Sequence, residues 1–330
     1  MSEYKKLLSL ILEKGTAKEP SRDNIPGSIS YFGSQLRYDL RNGFPLNTLK
    51  PVSWKGLVYE LLWFLKGDTN IKYLDKNGVD FMWHQDAYNY FKKVFPTSEE
   101  SFSEYILMLK SVDSYYTTQI DRHDRLQTFL IGDCGYQYGS LWREFNGVDQ
   151  IVELIEGIRK NPESRRHIVT ALKPDSYDDM ALFTCHNFFQ FNCRKMDRFQ
   201  KLFYSKDVEY YLDCQFYQRS ADMILGVPYN TASYALLTHI IARMCNMIPG
   251  DLIHTFGDAH IYENHIDAAK EIISRDELEF PELLLSENVD WRNSNISEII
   301  YNLDFSDFSL LNYKHHPKTK AEAKLNTGLL

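Results

Sequence analysis

No uncharged run of about 18 residues, the least that spans a bilayer as a helix, occurs in the 330-residue chain, so the sequence offers no membrane span. The N-terminal MSEYKKLLSLILEKG is too short and too interrupted in its apolar run for a signal peptide, and the expected location is the cytoplasm. Cysteine is scarce and unpaired in pattern. Cys134, Cys185, Cys193, Cys214 and Cys245 are odd in number and lack any CxxC spacing, which argues for reduced thiols in a chain too large to need disulfide staples. Excess positive charge is also lacking. A formal net charge of −8 excludes general affinity for nucleic acid or an anionic membrane, so any anion site must be built from a few placed arginines. Internal repeats and low-complexity tracts are absent too.

What is present suits a substantial core, with 44% hydrophobic and 14% aromatic residues. Helical spacing over 4–14 is followed by alternation over Ser28 to Leu40, a bent strand. Trp54 to Leu65 is apolar on nearly every face and reads as a buried helix, with Gly67 and Asp68 marking its end and the next helix's start; Glu60 sits inside it. From about 88 to 132 the character changes. A helix-start signal at Ser98 to Glu100, a helix near 102–109 and many Tyr, Ser and Asp residues suggest an inserted small-domain segment. The second half predicts a helix over 149–160, strands near 166–172, 186–195 and 208–217, a core helix from about 231 to 247, strand 251–256 and helix 261–274. Mixed strands with packed helices make the expected class α+β, a three-layer α/β arrangement in one domain over 1–330 with a loosely held tail at about 318–330.

Several constellations could carry chemistry. Cys185 in FTCHNFFQF is either a nucleophile or a small buried residue, and only His186 stands beside it as a local cation. NPESRRHIV and QFYQRSAD put Arg165, Arg166, Arg219 and Ser220 next to strands; guanidinium forks and a hydroxyl match a phosphate dianion, or they form ordinary surface ion pairs. Asn230 ends GVPYN near the start of the core helix, as an N-cap or as an amide that reads the O4 and N3–H of uracil. HTFGDAHIY offers His254, Asp258, His260 and Tyr262 for a metal or for hydrogen bonds, in a spacing that is no established zinc signature.

These pieces occur in one order: ELLWFLKGDTNI, YGSLWR, NPESRRHIV, CHNFFQF, QFYQRSADMILGVPYNTASYALL and IPGDLIHTFGDAHIYENH. Together they resemble the thymidylate synthase family across about residues 3–317. The resemblance implies a homodimer with a bent mixed sheet at the interface, acting on C5 of a pyrimidine nucleotide with methylenetetrahydrofolate as one-carbon donor and no metal. By position it makes Cys185 the nucleophile that adds to C6, with Glu60, Asn230, Tyr136 and His186 in the catalytic set. Arg219, Ser220 and Gln218 would hold substrate in one subunit, Arg165 and Arg166 would reach the partner's phosphate and lower the thiol pKa, and His260 and Tyr262 would hold the deoxyribose 3′-hydroxyl. Asp222, Trp83, Leu225 and Gly226 would face the folate. A buried Glu60 is costly unless it moves protons. The related deoxycytidylate hydroxymethylases carry aspartate at the position of Asn230, which therefore favours uracil, and the expected substrate is dUMP.

The departures bear on the final step. Phe183 and Thr184 replace two prolines, Leu141 replaces the glutamine of YGxQWR, Asp86 replaces a second tryptophan, and the tail KAEAKLNTGLL runs several residues long. SRDNIPGS replaces DRTGTGT, leaving Arg22 as the phosphate ligand of that loop. Departures on the folate and water side favour water over hydride. The leading expectation is thus a dUMP hydroxymethyltransferase of the kind phages use to make modified thymine, with dTMP synthesis as the alternative. A metallohydrolase built on His254, Asp258 and His260 and a non-catalytic nucleotide binder stand behind these.

Overall fold

A computed structural model describes residues 2–20, 25–80, 82–111, 118–122 and 125–320. The chain opens with α1 (Glu3–Lys14), β1 (Thr16–Lys18) and the long β2 (Ser28–Asp39), followed by α2 (Trp54–Leu65), α3 (Lys72–Lys76), α4 (His84–Val94) and α5 (Phe102–Lys110). A hairpin of β3 (Thr118–Arg122) and β4 (Arg125–Phe129) leads to α6 (Tyr138–Arg143), α7 (Gln150–Lys160), β5 (Ile168–Thr170), β6 (His186–Lys195) and β7 (Tyr210–Asp222). Then come α8 (Gly226–Met244), β8 (Ile248–Tyr262), α9 (Ile266–Ser274), β9 (Glu282–Leu285), α10 (Ile296–Asn302) and β10 (Phe308–Leu311).

Six strands form one mixed sheet in the order β1-β2-β8-β7-β6-β5, antiparallel throughout except for the parallel pair β7 and β8. The α+β class follows from this sheet and the helices packed on it. Helix α8 lies on β7 and β8, and α2 packs against both α6 and α8. Along β6 and β7 one set of alternate residues, including Phe189, Phe191, Cys214 and Phe216, is buried beneath α8, while Phe188, Asn192 and Gln215 face outward. Helix α2 needs no polar face after its first two residues because it is buried from Gly56 to Leu65; Ser53 caps it by accepting from the Gly56 amide at 3.1 Å.

Several boundaries differ from expectation. Asp68 does not start a helix; its carboxylate accepts from the Asn70 amide at 2.9 Å, a turn that precedes α3. The start signal for α5 is Ser101 in a capping box with Glu104, rather than Ser98 to Glu100. Helix α8 begins five residues before the expected 231, with Pro228 in its first turn where a missing N–H costs nothing. Strand β8 runs through Gly257 to Tyr262, so Tyr262 stands on a strand rather than in the expected helix, and His260 precedes it on the same strand.

Candidate active site

Cys185 precedes β6, at a register shift between His186 and Phe188. Bulges of this kind re-aim side chains at strand ends. The thiol is half-buried, and its surroundings are tied to main chain on every side. The Cys185 amide donates to Tyr138 Oη at 2.7 Å, and the Cys185 carbonyl accepts from the Arg219 amide at 2.8 Å. The Arg219 guanidinium donates from Nε to the Thr184 carbonyl at 2.9 Å and from Nη2 to the Phe183 carbonyl at 2.7 Å. It also lies 4.2 Å from the centre of the Phe183 ring. Burial pushes the Cys185 thiol up; Arg219 pulls it back, Asp86 pushes it further, and the Tyr138 hydroxyl lowers it. The net shift is upward, so within one chain the arginines do not produce the depressed thiol expected from sequence.

His186 is not the local cation. Its ring stacks on Tyr138 at 3.8 Å and its Nδ1 meets Tyr234 Oη at 3.0 Å; burial pushes its pKa down to about 3 and keeps it neutral. The structure brings Tyr138 rather than Tyr136 to the Cys185 loop. Tyr136 packs beneath Lys173, whose ammonium is 5.5 Å from its ring centre, while Tyr138 opens the YGSLWR motif.

Asn230 lies inside α8 and caps nothing; its Oδ1 accepts from Gln218 Nε2 at 3.1 Å. Gln218 in turn meets the Ser220 carbonyl at 3.0 Å and His254 at 2.8 Å. His254 is fully buried, and its other nitrogen is 3.0 Å from Thr231 Oγ1, so both ring nitrogens are engaged away from Asp258. Among the described residues no group of three or more His, Cys, Asp or Glu side chains could hold a metal. His260 contacts Asp258 at 3.0 Å and packs edge-on to Tyr262; Ser30 and Lys18 also bond the Asp258 carboxylate.

The opposite wall comes from α2 and the start of α4. Glu60 accepts from Trp83 Nε1 at 2.7 Å, and burial raises its pKa to about 7 despite that bond. Trp83 precedes α4 with φ +66, a left-handed conformation that costs about 1–2 kcal/mol. Asp86 is half-buried in the first turn of α4, its pKa raised by burial to about 6. Asp222 accepts from the Ile224 amide at 2.8 Å and the Leu225 amide at 3.2 Å, and its carboxylate is 3.7 Å from His265. Lys50, between Leu49 and Pro51, stands within electrostatic reach of Asp222 without any signal in the sequence. It is buried, and desolvation lowers its pKa to about 8 against the pull of Asp222.

Arg165 and Arg166 are exposed on this chain, and no ion pair among the described residues includes them. Arg22 lies outside the described residues, as does the tail from 321.

The thymidylate synthase family model matches residues 2–325. A thymidylate synthase of Malacoplasma penetrans is 42% identical over 322 residues, covering 98% of this chain and 99% of that protein. The chain belongs to the thymidylate synthase family. A thymidylate synthase of Mycoplasma mobile is 43% identical over the same share of each chain, and one of Staphylococcus haemolyticus is 41% identical over 97% of both.

Set among thymidylate synthases, the departures from the family pattern lose their wet character. Leu141 is fully buried in the main hydrophobic core rather than facing a water site. Thr184 is fully buried, with its hydroxyl donating to the Ala171 carbonyl at 2.8 Å. Phe183 packs edge-on against Tyr177 at 4.3 Å and over Arg219, an apolar plug beside the thiol. Of these four residues, only Asp86 sets a polar group toward the site. The alternative is favoured over completion by water: relatives over nearly the whole chain are named thymidylate synthase, and of the changes that suggested water Leu141, Phe183 and Thr184 are internally packed or bonded.

Proposed function

We propose that the chain is a thymidylate synthase that converts dUMP to dTMP. The observation that carries this reading is the Cys185 loop, its thiol beside Arg219 and roofed by the apolar Phe183 and the sealed Thr184, a dry setting that suits hydride rather than water. The Cys185 thiolate adds to C6, which turns C5 into an enolate carbon able to take a one-carbon unit. Methylenetetrahydrofolate supplies that unit and then the hydride. A substrate phosphate meeting Arg219 and Ser220, joined by Arg165 and Arg166 of a second copy, brings the positive charge that the buried thiol lacks in one chain. Asn230 reads the uracil edge, His260 and Tyr262 hold the 3′-hydroxyl, and Glu60, poised near neutral pH, exchanges protons.

The folate fits the opposite wall. Lys50 and Asp222 supply opposite charges within electrostatic reach of one another, and a Cβ added at Gly226 would meet Asn230 Oδ1 at 3.5 Å and Asp222 Cβ at 3.8 Å, ordinary contacts, so protein packing does not itself demand glycine there. Trp83, Leu225 and Gly226 then line the ring-binding space. The outward sheet face, which carries Phe188, Gln215 and Phe32 at 76% exposure, suits a homodimer interface. The protein works in the cytoplasm as one domain over 1–330, with the 88–132 segment as an inserted small domain, and binds neither nucleic acid nor membrane; no helix among the described residues is long and apolar enough to cross one.

Incubation with dUMP and methylenetetrahydrofolate tests the reading. Stoichiometric dihydrofolate, seen as its absorbance rise, with dTMP is expected; tetrahydrofolate with 5-hydroxymethyl-dUMP would overturn it and return Asp86 to the centre of the mechanism.

A further inference from the structure

We infer that His254 helps decide which pyrimidine the site accepts, by locking, together with the Ser220 carbonyl, the direction of a hydrogen-bond chain that ends on Asn230. The inference rests on Asn230 being the base-reading residue. An asparagine amide is ambiguous, because a half-turn exchanges its donor and its acceptor. In one sense Nδ2 donates to O4 of uracil while Oδ1 accepts from N3–H. Turned over, Oδ1 accepts from the 4-amino group of cytosine and Nδ2 donates to N3. Asparagine alone does not exclude cytosine, so something must hold the amide in one sense.

The chain has an anchor whose polarity is not open to choice. The Ser220 backbone carbonyl can only accept, and it stands 3.0 Å from Gln218 Nε2. Gln218 therefore turns its oxygen toward His254 Nε2, 2.8 Å away. That contact requires the His254 proton on Nε2, which leaves Nδ1 to accept from the Thr231 hydroxyl at 3.0 Å. Burial holds His254 neutral, so it has one ring proton to place. The ring cannot turn to escape, since it stacks on Phe216 at 3.9 Å and lies 3.9 Å from Phe256. The second N–H of Gln218 Nε2 then reaches Asn230 Oδ1 at 3.1 Å. Asn230 Nδ2 has no hydrogen-bond partner among the described residues, which leaves its donors for a ligand in the sense that matches uracil.

His254→Phe keeps a ring on the Phe216 stack and removes the Nε2 donor; His254→Gln restores a donor at about the same reach. Calorimetric affinities for dUMP, dCMP and inorganic phosphate would be measured for each, and ¹⁵N NMR of histidine-labelled wild type would read the tautomer. The expected result is a proton on Nε2 and a dUMP-to-dCMP affinity ratio that falls roughly tenfold to a hundredfold in His254→Phe, the cost of an unmatched buried hydrogen-bonding group, with recovery in His254→Gln and phosphate affinity unchanged. A ratio unchanged in a His254→Phe protein that still binds phosphate, or a proton on Nδ1, overturns the inference and leaves the proposed function standing. If His254→Phe does not fold, the wild-type tautomer decides between these outcomes. A wild-type chain that binds phosphate but neither nucleotide overturns the base-reading assignment together with this inference.

Discussion

The two walls of the active site are held by different means. On the wall assigned to the nucleotide, Cys185, Arg219 and Gln218 each bond to backbone, and Asn230 is fixed through Gln218. On the wall assigned to the folate, Asp222 accepts from the Ile224 and Leu225 amides, but where α2 meets α4 Glu60 and Trp83 share one side-chain bond, and α4 starts without a side-chain cap from a residue at φ +66. A wall pinned to main chain tolerates few substitutions, because each change leaves a buried polar partner unmet. A stretch held by side-chain contacts can change residue by residue, and the departure at Asp86 falls there; on the pinned wall the departures at Phe183 and Thr184 change side chains while Arg219 holds their carbonyls.

The comparison can be broken at three points. Cys185→Ser should lower turnover by on the order of 10³-fold or more, with dUMP affinity within a few-fold of wild type, measured by dihydrofolate formation and calorimetry. Retained turnover would remove the nucleotide wall from the chemistry. Glu60→Gln should lower kcat by roughly 10²- to 10⁴-fold. It should also stabilise the fold at high pH. The Glu60 pKa rises from 4.5 to about 7 on folding, so the folded state favours the protonated acid, and wild type loses about 3 kcal/mol as pH rises from about 4.5 through 7. Thermal melts should show the variant ahead at pH 8 and level with wild type near pH 4.5. Asp86→Asn should matter least. Removing a half-buried charge changes turnover by on the order of 1 kcal/mol, less than tenfold. Since Asp86 pushes the Cys185 thiol up, alkylation by iodoacetamide should begin at lower pH in the variant. A large loss of activity there would erase the contrast between the walls.

Much of the fold was legible because periodicity reports burial directly. The predicted helix over 54–65 and the strand over 186–195 match α2 and β6 residue for residue. Gly257 shows where such reading stops. The alternation predicts a strand that ends at 256, yet β8 continues through the glycine, because a Cβ there would meet Tyr217 Oη at 2.6 Å and the Arg219 carbonyl at 2.8 Å; the residue answers to the neighbouring strand, which no local pattern encodes. The site residues were legible as types and positions, but their partners were not. That His186 would be neutral, that Tyr138 would hold the Cys185 amide, and that Leu141 and Thr184 would be dry all depend on elements distant in sequence.

Arg219 limits how this chain can diverge. Two of its nitrogens clasp the carbonyls of Phe183 and Thr184, so the side chain proposed to meet the phosphate also holds the Cys185 loop in place. A lineage that gave up phosphate recognition by changing Arg219 would release that loop in the same step, and lysine, with one nitrogen and no planar fork, could not keep both carbonyls. Binding and chemistry on this wall are therefore inherited together, and new substrates are reached more readily by altering what faces Asp86 than by altering what grips the nucleotide.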